Sequence, residues 1–403
     1  MAVFALLSAL PLLAAEPSFG FSRQRLFPGF DGKTCKIQPS VATDGEGLVL
    51  MTWQNLLLSG SDVFYGESMV RSVDGGRTFS VPMSQDAVLA DTWEGKIRTA
   101  YYGHVLYSRA NRRWFGLGAA QRYENDRVPM SRSHRAADGK PTLMPMFYEV
   151  DETKGCFKGK RPLPVSFSSD CAMPFGQILE CENGDLLVPF YGIFRDKGEK
   201  YVCIVLRYRF DGDGPKVVET GSPIENPGGK RGVCEPSLAK LGERYFVTLR
   251  TDEQGMWAES ADGLAFGAPQ PWRWDDGSAL ENYNTQQHWL GSKDALYLAY
   301  TRRGAQNDHV FRHRAPIFMA KFDAERRCLV RATERIMVPE LGARLGTFVC
   351  CDAGNGESWL ITAEWMQGKA EKTGVCEQYG SDNSLWLVKV RFGSEGHSRL
   401  QGL

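Results

Sequence analysis

The chain has 403 residues, of which 42% are hydrophobic, and its 48 basic and 48 acidic side chains give a formal net charge of zero. A chain of this length can bury a large core, and its balanced charge gives no electrostatic reason to bind nucleic acid or an anionic membrane. The 43 glycines, 22 phenylalanines, 14 tyrosines and 10 tryptophans are typical of a turn-rich protein built from many short strands.

The N-terminus carries an apolar run from Val3 to Ala14 that is too short to cross a bilayer. Because small residues precede Glu16, residues 1–15 are predicted to be a signal peptide of a periplasmic or secreted protein without a membrane span. Export would permit disulfides, but the ten cysteines show no C-x-x-C spacing. Most of the cysteines are expected to be buried thiols. The sequence leaves room for one or two disulfides and does not assign their pairing.

Strand-like runs follow one another at short intervals along residues 16–403. They occupy residues 47–53, 68–72, 105–107, 113–118, 175–180, 186–191, 202–210, 237–239, 244–250, 296–300, 317–322, 358–362 and 384–388. The stretch from Arg122 to Lys160, rich in proline and charge, is expected to be a loop on the binding face or an added outer strand. No long helical period and no linker divides the chain.

This pattern predicts a single all-β domain over residues 16–403, in which small sheets repeat around an axis. Such repetition protects the edges of many short strands. A β-propeller of six or seven blades, each of about 40 to 60 residues, fits the length best.

Two similar Asp-Gly turns recur in the chain, at residues 72–79 (SVDGGRTF) and 260–266 (SADGLAF). In each turn the Asp carboxylate and the Ser hydroxyl can accept backbone N–H groups, and the final Phe can anchor the next strand. The pattern resembles the Asp-box, S-x-D-x-G-x-T-W, of the sialidase superfamily. Such boxes lie at blade corners of a β-propeller, so this resemblance implies architecture and not chemistry.

A second segment, Cys234-Glu235-Pro236-Ser237 with a following hairpin that ends in Arg250, also resembles the sialidases. In that family a Glu in this context raises the reactivity of a tyrosine nucleophile, and the Arg is one of three that hold the substrate carboxylate. A strand out and a strand back bring both side chains to one end, and a guanidinium fork matches a carboxylate. The resemblance implies a catalytic Glu235 and a substrate-binding Arg250, with a surface salt bridge as the structural alternative.

A basic segment at residues 302–316 contains Arg312 and Arg314, one of which lies where the third arginine of the family is expected. His309 adds an imidazole to the same segment. An anion-binding site is therefore predicted here, and a solvated basic loop is the alternative.

Three further side chains are candidates for the pocket. Gln287 and His288 belong to the run NYNTQQHW at residues 282–289, whose amides and aromatic rings could bind sugar hydroxyls and ring faces. A capped turn would have a similar sequence. His104 precedes a strand and is a candidate catalytic residue, although a lone histidine is more often structural.

The chain departs from the family at two places. Where sialidases begin with F/Y-R-I-P, this chain has Lys36-Ile37-Gln38-Pro39, so the first arginine is absent, and Lys36 and Gln38 are the candidates for that part of the site. Phe348 stands roughly where the tyrosine nucleophile is expected. Asp62 is the best-placed candidate for the general acid, with Glu67 nearby.

The sequence thus predicts an exported, sialidase-like glycoside hydrolase that cleaves a glycosidic bond at an acidic sugar of a glycan, with no cofactor. No spacing of residues indicates a metal site, and whether a metal lies in the axis is not set by the sequence. Glu235 would be the base and Asp62 the acid. If water replaces the missing tyrosine, hydrolysis would invert the anomeric centre. A histidine-assisted lyase that cleaves uronate glycans and a non-catalytic glycan-binding propeller are the alternatives. The oligomeric state is not set by the sequence.

Overall fold

A computed structural model describes residues 19–60, 62–130, 138–195, 197–212, 214–368 and 374–393, and the predicted signal peptide lies outside them. Strand β1 (Phe19–Leu26) opens the chain but belongs to the last sheet. Blade 1 consists of β2 (Thr34–Thr43), β3 (Val49–Leu57), β4 (Phe64–Ser72) and β5 (Met83–Ser84).

The next ten strands form one hydrogen-bonded sheet that contains two blades. Blade 2 consists of β6 (Thr92–Glu94), β7 (Ile97–Ser108), β8 (Arg113–Tyr123), β9 (Leu143–Asp151) and β10 (Cys156–Pro162). Blade 3 consists of β11 (Ser169–Pro174), β12 (Leu179–Glu180), β13 (Leu186–Phe194), β14 (Val202–Asp211) and β15 (Gly214–Thr220). They count as separate blades because a single parallel bridge, between Leu143 and Cys171, joins β9 to β11.

Three further sheets complete the ring. Blade 4 consists of β16 (Cys234–Leu241), β17 (Arg244–Arg250), β18 (Met256–Ser260) and β19 (Gln270–Pro271). Blade 5 consists of β20 (His288–Ser292), β21 (Ala295–Tyr300), β22 (Ile317–Asp323), β23 (Cys328–Leu329) and β24 (Arg335–Val338). Blade 6 consists of β25 (Phe348–Gly354), β26 (Glu357–Ala363), β27 (Leu385–Phe392) and β1.

The blades are arranged as a closed ring. Strand β2 of blade 1 contacts β7 of blade 2 and β25 of blade 6, and β16 and β20 contact each other and the blades on either side. The ring is closed by β1, which pairs with β27 in antiparallel register from Phe19 opposite Phe392 to Leu26 opposite Leu385. The prediction of an all-β propeller is confirmed, and the described strands form six blades.

Helices are few and short in the described part of the chain: α1 (Asp86–Leu89), α2 (Gly374–Gln378) and two 3₁₀ turns at Phe311–His313 and Arg331–Thr333. None of these reaches the length or apolarity needed to cross a bilayer. The stretch from Arg122 to Lys160 holds β9 and most of β10, so it supplies the outer strands of blade 2.

Aromatic residues fill the interface between blades 4 and 5. Trp257, Trp272 and Trp289 are almost completely buried together with Phe246 and Phe322. Large aromatic side chains bury much apolar surface, which stabilises this interface. The ten cysteines, all within the described residues, are free thiols, and most of them are buried.

The two Asp-Gly turns have the hydrogen bonds that their sequences indicate. Asp74 Oδ1 accepts the backbone N–H groups of Arg77 and Thr78 at 2.9 and 3.0 Å. Asp262 Oδ1 accepts the N–H groups of Leu264 and Ala265, both at 2.8 Å. The first turn follows β4 and the second follows β18, so each comes after the third strand of its blade.

Candidate functional site

The inner ends of the six blades surround a cavity of ≈ 460 Å³. This volume lies within the roughly 300–1,000 Å³ that is usual for small-molecule sites. Its charged and polar wall residues are Gln38, Asp62, Tyr102, His104, Tyr191, Tyr201, Arg231, Glu235, Arg250, Gln286, Arg312, Arg314, Arg344, Thr347 and Gln367.

Glu235 reaches this cavity because its strand is interrupted. The register of β16 with β17 shifts between Cys234 and Ser237, and Glu235 has a positive φ of 51°. Such a conformation is strained for a residue with a side chain and persists only when its surroundings hold it. The buried Ser237 stabilises this bulge, because its hydroxyl donates to Gln177 Oε1 at 2.9 Å.

Arg250, at the end of the return strand β17, forms an ion pair with Glu235. Arg250 Nη1 lies 2.5 Å from Glu235 Oε1, and Arg250 Nη2 donates to Asn284 Oδ1, also at 2.5 Å. Burial by itself lowers the pKa of Arg250, but the Glu235 carboxylate more than offsets this effect and the pKa is raised. The predicted pair therefore meets inside the cavity, and the guanidinium remains charged.

Arg312 and Arg314 complete a cluster of positive charge around Arg250. Arg314 donates to Asn284 O at 2.7 Å and to Thr285 Oγ1 at 3.2 Å, and Arg312 donates to Asn284 Oδ1 at 3.4 Å. Burial and the neighbouring guanidinium groups lower the pKa of both arginines. Neither forms an ion pair within the described residues, so a bound anion would relieve their mutual repulsion.

The position of Arg314 also depends on a glycine. A Cβ atom at Gly346 would approach Arg314 Cδ to 2.5 Å, so a larger residue would displace the arginine. Gln286 Nε2 donates to Gly346 O at 2.8 Å and so also fixes the position of this glycine.

Two more arginines in the cavity wall were missed by sequence reasoning. Arg231 forms an ion pair with Asp252, with Nε 2.7 Å from Oδ2. Arg344 donates to Gly368 O at 2.7 Å, and its guanidinium lies 4.1 Å from the ring centre of Phe311. Both lie just before motifs that the sequence did single out, at Cys234 and Phe348, and this proximity is the signal that could have indicated them.

Asp62 lies in the connection between β3 and β4, in the cavity wall. Its φ is 56°, and its carbonyl oxygen accepts the Tyr123 hydroxyl at 2.9 Å. Since blades 1 and 4 face each other in a ring of six, the Asp62 and Glu235 carboxylates approach the cavity from opposite sides.

The backbone on either side of His104 is hydrogen-bonded to side chains of blade 1. Glu67 Oε2 accepts the N–H of Gly103 at 2.9 Å, and Ser40 Oγ accepts the N–H of Val105 at 2.9 Å. Burial lowers the pKa of His104 to about 4 and raises that of Glu67 to about 8. Both groups are therefore uncharged near pH 7, and His104 Nε2 is shielded from solvent with no partner among the described residues.

Seven of the residues predicted for the site line the cavity: Gln38, Asp62, His104, Glu235, Arg250, Arg312 and Arg314. The other four do not line it. Lys36 Nζ donates to Asn383 O at 2.8 Å, and Gln287 Oε1 accepts the indole N–H of Trp272 at 2.9 Å.

The two remaining histidines have structural contacts. His288 is fully buried between Ser237 Oγ at 3.1 Å and Gln286 Oε1 at 2.9 Å, and burial lowers its pKa to about 3. His309 Nε2 lies 3.1 Å from Glu340 Oε1, with its ring stacked on Tyr379. His288 thus supports the cavity from behind, and His309 lies outside its wall.

No family model and no curated protein sequence matches this chain. A structure of a protein of unknown function from Dyadobacter fermentans aligns with a TM-score of 0.62 and 16% identity, over 94% of this chain and 100% of that one.

Solved sialidases align over nearly the same extent. Trypanosoma rangeli sialidase in complex with the inhibitor DANA gives a TM-score of 0.58 at 12% identity, over 92% of this chain and 59% of that protein. The NanB sialidase of Streptococcus pneumoniae gives 0.58 at 12% identity, over 91% of this chain and 70% of that protein. The fold is sialidase-like. At these identities the likeness concerns the fold alone.

The cavity wall has a phenylalanine, Phe348, where the resemblance predicts a tyrosine. Phe348 is fully buried, and its ring packs edge-on against His288 with centroids 5.1 Å apart. The Tyr102 and Tyr191 hydroxyls in the wall both donate to Met173 Sδ at 3.2 Å. In the described residues no cluster of His, Cys, Asp or Glu is suited to holding a metal ion.

Proposed function

We propose that this protein is an exported, sialidase-like glycoside hydrolase that cleaves a glycosidic bond at a carboxylate-bearing sugar. The observation that carries the proposal is the arginine cluster. Arg250, Arg312 and Arg314 converge on one side of the cavity, and the last two have no ion-pair partner among the described residues. Guanidinium groups bind carboxylates through paired hydrogen bonds, so the preferred ligand is an anion.

The two carboxylates supply the acid and base of the proposed reaction. Asp62 would protonate the leaving oxygen, and Glu235 would accept a proton from the attacking water. Because Phe348 has no hydroxyl, water is the proposed nucleophile, and hydrolysis proceeds with inversion of the anomeric centre.

The proposal is tested by incubating the purified full chain with sialylated and uronic-acid glycans and measuring released sugar together with ultraviolet absorbance. Released acidic sugar without absorbance is the expected result, and its first-formed anomer, read by NMR, should be inverted. Absorbance from a new carbon–carbon double bond would instead indicate a lyase. Stable binding of the glycans without any product would indicate a glycan-binding propeller.

A further inference from the structure

The connection between β3 and β4, which carries Asp62, is bound by side chains of both neighbouring blades. Its first part is bound from blade 6 by Gln367, which lies in the connection after β26. Gln367 Nε2 donates to Leu58 O at 2.8 Å and to Gly60 O at 3.1 Å. Gln367 is buried, so little water competes for these bonds, and they fix the start of the connection.

Tyr123, at the end of β8 in blade 2, binds the second part of the same connection. Its hydroxyl donates to Asp62 O at 2.9 Å and accepts the N–H of Phe64 at 3.2 Å, so one group pairs with the backbone at two places. Its ring packs with Val63 in a small buried cluster. Tyr123 is fully buried and is not part of the cavity wall, so it acts on the cavity only through the backbone that it binds.

A buried arginine of blade 2 fixes Tyr123 in turn. Arg98 Cζ lies 4.0 Å from the ring centre of Tyr123 and 4.3 Å from that of Tyr65, distances at which a guanidinium is attracted to an aromatic face. Arg98 Nη1 donates to Phe64 O at 2.8 Å and to Asp91 Oδ2 at 2.7 Å. The same fully buried cation therefore holds both the Tyr123 ring and the backbone beside Asp62.

These contacts matter because the backbone at Asp62 is strained. Its φ of 56° is a conformation that a residue with a side chain keeps only when its surroundings impose it. The carbonyl group and the side chain of Asp62 are attached to one Cα atom, so a bond to the carbonyl oxygen also limits where the carboxyl group lies. A general acid works only within hydrogen-bond reach of the leaving oxygen, and a small displacement lowers the rate steeply.

We propose that Tyr123 is a positioning residue for Asp62. Its hydroxyl holds the strained backbone so that the Asp62 carboxyl group reaches the leaving oxygen, and Arg98 holds Tyr123 in place. This inference rests on the proposed function, because it requires Asp62 to be the general acid. Its consequence is that loss of the Tyr123 hydroxyl impairs protonation of the leaving group and leaves substrate binding intact.

The test compares leaving groups, using the methyl and para-nitrophenyl glycosides of N-acetylneuraminic acid and of glucuronic acid. Methoxide must be protonated as it leaves, whereas para-nitrophenolate leaves without a general acid. Asp62→Asn should lower kcat for the methyl glycoside at least about 100-fold, and for the para-nitrophenyl glycoside less than about tenfold. Tyr123→Phe should lower kcat for the methyl glycoside about tenfold and leave the other kcat and both KM values within about twofold.

Tyr208→Phe is the matched control. Tyr208 is also a buried tyrosine, and its hydroxyl donates to Pro164 O at 2.6 Å in blade 3, outside the cavity wall. Its loss should leave the ratio of the two kcat values unchanged. Thermal unfolding verifies that each variant is folded. If Tyr123→Phe is not folded, Gln367→Met replaces it and should lower kcat for the methyl glycoside more than for the para-nitrophenyl glycoside.

Three other outcomes separate the claims. If Tyr123→Phe lowers both kcat values equally, or neither, the positioning role is refuted while the proposed function stands. If Asp62→Asn lowers both equally, Asp62 is not the general acid, and the inference is refuted although hydrolysis is not. If the unaltered protein releases no sugar from any of these glycosides or from glycans that contain the same sugars, the proposed function is refuted and the inference with it.

Discussion

Blades 1 and 4 face each other across the cavity and have the same bulge and the same turn in their backbones. Each inner strand carries a bulge residue with positive φ, 47° at Gln38 and 51° at Glu235. In each, a proline and then a buried serine follow, Ser40 and Ser237. Each third strand also ends in a Ser-x-Asp-Gly turn, so the two blades are structural repeats of one another.

The side chains at the bulge and at the strand position opposite it differ in charge between the two blades. In blade 4 Glu235 and Arg250 form an ion pair. In blade 1 the corresponding positions hold Gln38 and Gln54, and the Oε1 atoms of both, with Gln54 Nε2, are buried without partners among the described residues. The repeated backbone thus directs the side chains at these positions towards the central axis. Which residues occupy the positions decides which wall of the cavity binds an anion.

The largest effect is expected when the ion pair between Glu235 and Arg250 in blade 4 is broken. Arg250→Gln leaves the Glu235 carboxylate partly buried without its cation, which should cost about 3–5 kcal/mol of unfolding free energy. The same variant should lower turnover of an acidic-sugar substrate by at least about 100-fold, because the carboxylate loses a guanidinium donor. Urea unfolding and initial rates measure the two effects.

A second variant separates stability from function. Glu235→Gln combined with Arg250→Gln gives blade 4 the uncharged pair of blade 1, so most of the lost stability should return. Activity should remain absent. Recovery of activity in the double variant would contradict the roles proposed for both residues.

In blade 1, the buried Glu67 lies opposite Gln54 on the neighbouring strand. Burial raises its pKa to about 8, above the ordinary value of 4.5, so the folded state prefers the protonated acid. Its contribution to stability is complete below pH 4.5 and falls by about 1.4 kcal/mol per pH unit as the pH rises towards 8. Glu67→Gln should remove this slope, which urea unfolding at pH 5 and pH 8 would detect; parallel curves for the two proteins would argue against it.

His104 gives an opposite and smaller dependence. Burial lowers its pKa from 6.5 to about 4, so the folded state prefers the neutral ring. Stability should fall by about 1.4 kcal/mol per pH unit as the pH drops from 6.5 towards 4. His104→Phe should lose this part of the acid sensitivity, as thermal unfolding between pH 4 and 7 would show. An unchanged acid sensitivity would mean that the ring is hydrated.

The smallest effect is expected at the turns. Ser260 is buried, and its Oγ accepts the N–H of Gly263 at 2.9 Å. Ser72 Oγ accepts the N–H of Gly76 at 2.9 Å in the same way. Ser260→Ala and Ser72→Ala should each cost about 1 kcal/mol of unfolding free energy, with unchanged activity. A loss of activity in either variant would mean that the turns affect the cavity as well as the blade corner.

The sequence predicted those parts of the molecule that depend on local patterns. Turn residues and alternating strands predicted the propeller, and a strand out and a strand back predicted that Glu235 and Arg250 meet. Arg231 and Arg344 were missed because they lie in connections between blades, where only the closed ring brings them to the axis.

The bulges explain why other site residues could not be read from the sequence. Simple alternation does not show which of Lys36 and Gln38 faces the cavity. The register shift between Ile37 and Ser40 turns Gln38 inwards and leaves Lys36 bound to Asn383. Similarly, His288 begins β20 and is buried behind Ser237, although the residues that precede it are polar.

The pairing of β1 with β27 has a consequence for synthesis. The two strands that close the ring lie near opposite ends of the described chain, so β1 leaves the ribosome long before its partner exists. At about 5–20 residues per second, translation separates them by tens of seconds. During this interval β1 has no partner strand in its own chain and is available to pair with other chains. Nascent propellers are therefore expected to depend on chaperones until β27 is complete.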